Sequence, residues 1–139
     1  RKTEKALTYI KNHYHEQISL KDVADHVGLS QSHFSAVFHQ FIGINFSQYI
    51  QILRIDEAIH MLQGSNRKII DIALETGFSN IRSFNRVFRN LTGSSPSSFI
   101  KNNHAKILHI PTKYNIGDDF NVENDSFVVI ENLHPIIDK

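Results

Sequence analysis

The strongest constraint on the fold is an internal repeat, because residues 20–50 and residues 69–100 are two versions of one segment. The offset between matching positions is 49 before the central turn and 50 after it, since the second version carries one extra residue there. Matching pairs are Val23 with Ile72, Ala24 with Ala73, Gly28 with Gly77, Phe34 with Phe84, Phe38 with Phe88, Phe41 with Leu91, Gly43 with Gly93 and Tyr49 with Phe99. Repeats of this kind build one supersecondary unit per copy. The sequence therefore predicts two copies of the same structural unit.

The stretch "GFSNIRSFNRVFRNLTGSSP", residues 77–96, indicates what that unit is. On a helix, residues three and four apart share a face, which gives this stretch one apolar side and one basic side. The apolar side holds Phe84, Val87, Phe88 and Leu91, and the basic side holds Arg82, Arg86 and Arg89. The preceding "DIALETG" predicts a shorter helix that ends at Gly77. Two helices joined by a tight glycine turn are the outline of a helix-turn-helix.

The first copy repeats the apolar side but not the outer side. Facing inward we expect Phe34, Val37, Phe38 and Phe41, and facing outward Ser32, Ser35, Ala36 and His39. The corresponding outward set of the second copy is Arg82, Asn85, Arg86 and Arg89. The two units are therefore predicted to share a core and to differ in the surface they present.

The complete pattern predicts an all-α fold of seven helices. Helices one to four are expected at about residues 3–15, 20–27, 31–41 and 46–63, helices five and six form the second unit, and helix seven begins at Pro96. Helix four would span about 27 Å at 1.5 Å per residue, enough to hold the two units apart. Its inward positions are Ile50, Leu53, Ile55, Ile59 and Leu62.

Polar residues mark where several of these helices begin. The sequence "SLKD" from Ser19 is a near variant of the capping box, and Ser95 precedes the proline that opens helix seven. Either Ser79 or Asn80 can cap helix six. Gly93 can stop that helix.

Charge is distributed unevenly along the chain. Through residue 101 there are twelve Lys and Arg against eight Asp and Glu, and from residue 102 onward three against six, which together give the net charge of +1. Residues 102–139 also mix proline, glycine-acidic turns and a β-like run. We expect them to form a non-helical extension, either an acidic linker or the start of a further domain. Because the chain begins at Arg1, we expect a fragment or a processed protein.

Several classes of site are disfavoured by composition. The absence of cysteine excludes disulfides, thiolate metal sites and a cysteine nucleophile in this segment. No apolar run approaches the ~18 residues of a membrane span. His13 and His15 lie two positions apart, so on a helix they point in different directions and do not form a metal pair. We therefore expect no metal, no cofactor and no enzyme activity.

Three stretches together carry a family pattern: "LKDVADHVGLSQSHFSAVFHQFIG", "YIQILRIDEAIHML" and "IIDIALETGFSNIRSFNRVFRNLTGSSPSSF". They resemble the DNA-binding domain of the AraC/XylS family of bacterial transcription regulators, over about residues 7–101. The specific elements are the paired glycine turns, the Arg54–Ala58–Leu62 linker pattern and the closing Gly-x-x-Pro. The family often closes with an aromatic-arginine pair, whereas here Phe99 is followed by Ile100 and Lys101.

The resemblance implies two helix-turn-helix units, at about residues 7–44 and 66–101, joined by a linker helix at 46–63. It also implies monomeric binding of this domain to promoter DNA, with recognition helices at about 31–41 and 81–91 in successive major-groove segments. Further domains of the same protein and RNA polymerase are the expected protein partners, in the cytoplasm, with no membrane association.

Side-chain chemistry then suggests DNA contacts. Arginine bonds guanine, asparagine bonds adenine, and short polar or methyl groups accommodate other bases. The expected base-reading residues are Gln31, Ser32, Ser35, Ala36, Arg82, Asn85 and Arg86. The expected backbone contacts, helped by helix N-termini, are His39, Arg67, Lys68, Arg89 and Lys101. Arg54 is instead expected to be a buried structural cation bonded to carboxylates or carbonyls.

The leading hypothesis is thus a sequence-specific DNA-binding domain. An alternative from another class is a helical interaction module that acts through a partner regulator or RNA polymerase without reading DNA. An enzyme is the third hypothesis, and the missing cysteine and the lack of paired carboxylates or a Ser-His-Asp arrangement argue against it.

Overall fold

A computed structural model describes residues 1–64 and 66–101 of the chain. This part contains seven helices and no strand: α1 Lys2–His13, α2 Leu20–Val27, α3 Gln31–Ile42, α4 Phe46–Gly64, α5 Ile69–Glu75, α6 Ile81–Thr92 and α7 Pro96–Lys101. The predicted all-α fold is confirmed, with most helix ends within a residue of expectation. The exceptions are α1 and α5, which end two residues early, at His13 and Glu75. The predicted non-helical extension at 102–139 lies outside the described residues.

Side-chain caps fix the starts of the helices in both units. The Ser19 hydroxyl accepts a hydrogen bond from the Asp22 amide at 3.1 Å, and the Asp22 carboxylate accepts one from the Ser19 amide at 2.9 Å. The capping box predicted at α2 is therefore complete. Of the two candidates for α6, Asn80 is the cap, because its side chain accepts from the Ser83 amide at 2.8 Å.

The hydrophobic core runs through both units around α4. This helix packs against α3, α5 and α6, and it is apolar on several sides because it faces a different helix on each. All five of its predicted inward residues are buried, together with Tyr49, Ile52 and Ala58. A helix surrounded in this way is the central element of the domain.

Both units pack their phenylalanines in the same geometry. The Phe34 and Phe38 ring centroids are 5.7 Å apart, and those of the matching Phe84 and Phe88 are 5.6 Å apart. The next contact is also shared, at 5.4 Å from Phe38 to Tyr49 and 5.5 Å from Phe88 to Phe99. The repeat in the sequence is thus a repeat of core packing.

The inward set predicted for α3 needs a correction. Phe34 and Phe38 are buried, but Val37 and Phe41 are only partly buried, and Ile42 is fully buried instead. The helix continues to Ile42, which extends the row of residues four apart that begins at Phe34. Phe41 consequently falls at the edge of the core.

One set of contacts joins the first unit, α4 and the turn of the second unit; we call it the interunit junction. Its residues are Tyr14, Glu16, Gln17, Arg54, Gly77 and Phe78. Arg54 donates from Nε to the Tyr14 carbonyl at 2.7 Å and from Nη2 to the Glu16 carbonyl at 2.8 Å. Its guanidinium lies 5.6 Å from the Phe78 ring centroid. Gln17 Nε2 donates to the Gly77 carbonyl at 3.0 Å.

The turn at Gly77 has room for a hydrogen only. Its φ is +114°, a conformation that disfavours any side chain. A methyl group on this residue would lie 2.5 Å from Arg54 Nε and 2.9 Å from the Tyr14 carbonyl oxygen. The close approach of Arg54 to this backbone therefore depends on glycine.

A second buried polar group on α4 carries an energetic cost. The Asp56 side chain is only 18% exposed, and its Oδ1 lies 3.4 Å from His60 Nδ1. That oxygen has no hydrogen-bond partner in the described part of the chain. Burial raises the pKa of the Asp56 carboxyl to about 6, against an ordinary value of 3.8.

We predict that Gly77→Ala destabilises the domain by more than Gly93→Ala. Both glycines have positive φ, which costs a side chain about 1–2 kcal/mol. An added methyl at Gly93 meets nothing within 4 Å, whereas at Gly77 it also displaces Arg54, whose bonds are each worth about 1.5–3 kcal/mol. Urea unfolding measures both changes. Equal losses for the two variants would contradict the junction's role.

We predict that Asp56→Asn stabilises the domain at neutral pH. The folded carboxyl binds its proton more tightly than the unfolded one. Asp56 therefore lowers the free energy of unfolding as pH rises from about 4 to about 6, and this loss persists at higher pH. Removing the charge should add about 1–2 kcal/mol at pH 8 and little at pH 4. Urea unfolding across this range tests it, with Asp71→Asn on the exposed face of α5 as control. A gain that does not change with pH would count against the explanation.

Candidate nucleic-acid interface

The outer face of α6 carries a cluster of unpaired positive charge. Arg82, Asn85, Arg86 and Arg89 are all exposed, while Phe84 and the other apolar side chains of the helix are buried on the opposite side. None of the three guanidiniums makes an ion pair within the described residues. The predicted grouping is present, and the arginines are available for an anionic ligand.

The outer face of α3 has the same shape but nearly neutral chemistry. Gln31, Ser32, Ala36 and His39 are exposed, and Ser35 is half-buried. The repeat places Ser32, Ser35, Ala36 and His39 where α6 has Arg82, Asn85, Arg86 and Arg89. Within this set, α3 has a basic residue only at His39, the repeat counterpart of Arg89.

The other residues predicted to contact the DNA backbone differ in whether their charge is already paired within the protein. Lys68, the N-cap residue of α5, and Lys101, the last residue of α7, are exposed. Arg67 is also exposed, but its Nη2 lies 2.6 Å from Glu75 Oε1. Part of its charge is therefore already balanced, so it is a weaker candidate for a phosphate contact than Lys68.

Comparison with known proteins agrees with this architecture. The helix-turn-helix domain family matches residues 23–102, which is more than half of the chain. A crystal structure of an AraC-type DNA-binding domain-containing transcriptional regulator from Chromobacterium violaceum is similar with a TM-score of 0.67 and 28% identity, over 75% of this chain and 93% of that one. The chain belongs to the AraC/XylS family. Its fold class and its resemblance are thus both confirmed.

Three further similar proteins differ in how much of their length this domain covers. An uncharacterized HTH-type transcriptional regulator of Staphylococcus aureus is 36% identical over 98 residues, which are 70% of this chain but 13% of that protein. The HTH-type transcriptional activator AarP of Providencia stuartii is 37% identical over 93 residues, 67% of this chain and 69% of AarP. The DNA-binding domain of AdpA, crystallised with a target DNA, is similar in fold, with a TM-score of 0.68 and 24% identity over 72% of this chain and 90% of that chain.

Sequence analysis missed a cleft between the two units of this AraC/XylS domain. It has a volume of about 440 Å³ and lies between the start of α2, the first half of α4 and the N-terminal half of α6. We call it the interunit cleft; its polar side chains include Gln17, Ser19, Ser47, Gln51, Ser83, Arg54 and Arg86. No carboxylate from the described residues lines it. These residues come from three separate stretches of the chain, so no local pattern reveals them.

Metal-ligand clusters and membrane-spanning helices are both absent from the described ranges, 1–64 and 66–101. No group of three or more His, Asp or Glu side chains comes together there as metal ligands would. None of the helices in that part has the length and apolar content needed to cross a membrane.

Proposed function

We propose that residues 1–101 form the promoter-reading domain of a bacterial transcription regulator, in which α3 and α6 enter successive major-groove segments of double-stranded DNA. The observation that carries this proposal is the unpaired arginine face of α6, set on a helix-turn-helix that the first unit repeats. Relatives support it, because AarP is a transcriptional activator and AdpA was crystallised with a target DNA. Binding rather than catalysis is the activity that such a surface supports.

Within α6, we assign base reading to the N-terminal part of the helix. In a helix-turn-helix the start of the second helix lies nearest the base edges. Arg82 and Arg86 would each bond guanine O6 and N7, and Asn85 would bond adenine N6 and N7. Arg89, in the last turn, is assigned to phosphate because it lies a turn further from the groove floor.

Within α3, the same positions carry weaker contacts. Gln31, Ser32 and Ser35 offer single hydrogen bonds, and the Ala36 methyl fits a thymine methyl. His39, Lys68 and Lys101 are assigned to the DNA backbone, with Arg67 contributing less because of its ion pair with Glu75. The second unit would therefore supply most of the affinity, and the first would tolerate more variation in its bases.

The proposed setting is the cytoplasm, where promoter DNA and RNA polymerase are found. The chain spans 13% of the length of the S. aureus regulators it matches, and the segment 102–139 is assigned to a linker or to the start of a further domain. Sensing of a signal would then belong to parts of the protein outside residues 1–101.

A second candidate function is protein interaction through the outer face of α5. Ile70 and Leu74 are 42% and 50% exposed. In the first unit the matching positions are Lys21 and Asp25, whose Nζ and Oδ2 form an ion pair at 2.5 Å. The same scaffold thus carries a solvated ion pair in one unit and two aliphatic side chains in the other, as a surface for RNA polymerase or a partner regulator would.

We expect Arg82→Ala and Arg86→Ala to remove sequence preference in one half of the operator. Each lost bidentate contact should cost about 1–3 kcal/mol of discrimination at one position. Selection of bound duplexes from a random pool, at about 150 mM salt, measures this, with Lys5→Ala on α1 as control. A wild-type domain that selects no motif, and variants that weaken binding evenly, would favour the interaction module instead.

We expect His39→Arg to strengthen binding to every duplex by a similar factor, because it gives α3 the cation that α6 has in Arg89. A permanent cation at this backbone contact should steepen the dependence of log K on log salt by up to about 0.9. The reciprocal change, Arg89→His, should make the dependence shallower. Fluorescence anisotropy between low and physiological salt measures both slopes. A change confined to particular base sequences would show that position 39 does not act on the backbone.

A further inference from the structure

Arg54 leaves a positive charge uncompensated at the floor of the interunit cleft. Its side chain is partly buried, and its two described hydrogen bonds go to neutral carbonyls. No carboxylate pairs with it in the described part of the chain. Burial lowers the pKa of its guanidinium, as desolvation of a cation does. A partly desolvated cation without a counter-ion favours the approach of an anion.

The polar part of the cleft wall consists of hydrogen-bond donors, and it lies beside apolar side chains such as Leu20, Ile50 and Val87. Ser19 and Ser47 lie at the first turns of α2 and α4, whose N-terminal ends carry partial positive charge. Ser83 and Arg86 come from α6. The acidic side chain next to this wall, Asp22, is exposed and bonded to the Ser19 amide, and it does not line the cleft. The cleft therefore offers the Arg54 guanidinium and several hydroxyls, and Arg86 adds positive charge at its rim.

Arg86 connects this cleft to the DNA-reading face. It is exposed on the outer side of α6 and it also lines the cleft. DNA held by α6 would consequently lie against the rim of the cleft. Two major-groove segments on one side of a duplex are separated by about 34 Å, and the sugar-phosphate backbone between them must cross the space between the two units.

We propose that the interunit cleft binds a phosphate group, and that in the DNA complex this is a backbone phosphate between the two major-groove segments. The inference rests on the proposed function and adds a contact that neither recognition helix makes alone. Such a contact carries no sequence information. It adds affinity only when both units engage the same duplex.

Ser47→Glu tests the proposal by placing a carboxylate in the cleft. At the second position of α4 an acidic residue suits the helix dipole, so the fold should be kept, as urea unfolding can verify. We expect DNA affinity to fall about tenfold or more at low salt with the selected motif unchanged. The matched control is Ser97→Glu: Ser97 is the repeat counterpart of Ser47, second in α7, and it lies outside the cleft.

Two further measurements identify the source of the phosphate. Replacing single phosphates of the selected duplex by neutral methylphosphonate should locate one position between the half-sites that weakens the wild type but not Ser47→Glu. Titration with inorganic phosphate in the absence of DNA shows whether the cleft binds a free anion. Binding is followed by the amide chemical shifts of Ser47 and Ser83. Shifts without any sensitive position in the duplex would support the anion site and overturn its assignment to DNA.

Different experimental results would refute this inference and the proposed function. If the wild type selects a motif and Ser47→Glu binds as tightly as the wild type, or loses no more than Ser97→Glu, the cleft does not hold a phosphate and only the present inference is lost. If the wild type selects no motif, the proposed function itself is lost.

Discussion

Most of the polar contacts that hold the two units against each other are made by one side chain, Arg54, beside the apolar core around α4. It is anchored on α4, donates to the carbonyls at the end of the first helix and lies beneath the glycine turn of the second unit. Carbonyl oxygens hold a guanidinium in place without neutralising it. The result is a joint that is fixed in geometry and still positively charged, which is the combination a domain needs if it must present two helices to a polyanion at once.

The repeat explains how one scaffold serves two different surfaces. The ring contacts inside the units agree to within a few tenths of an ångström, because core packing tolerates little change in volume. Positions outside the core have no such constraint. There, arginine replaces serine and alanine on the recognition helix, and isoleucine and leucine replace an ion pair on the preceding one. The differences between the copies therefore concentrate on the faces that can meet other molecules.

Local patterns were sufficient for most of the fold. Periodicity and caps located the helices and the arginine face because those features depend on residues a few positions apart. The same logic placed Phe41 rather than Ile42 in the core, because α3 continues one residue further than expected. It gave no indication that Asp56 is buried. It also missed the ion pair of Arg67 with Glu75 and the entire cleft. The ion pair joins residues eight positions apart across the start of a helix, and the cleft is lined by distant parts of the chain. A single sequence does not specify these distances.

The linker helix has a consequence for the operators that such a protein can use. Because α4 runs unbroken from Phe46 to Gly64 and is buried among both units, it cannot act as a hinge. Each base pair inserted between two half-sites turns the second one about 34–36° around the duplex axis. A rigid protein would have to twist the DNA back to regain both contacts. Spacer length in the promoter would therefore be under as strict a constraint as the bases themselves.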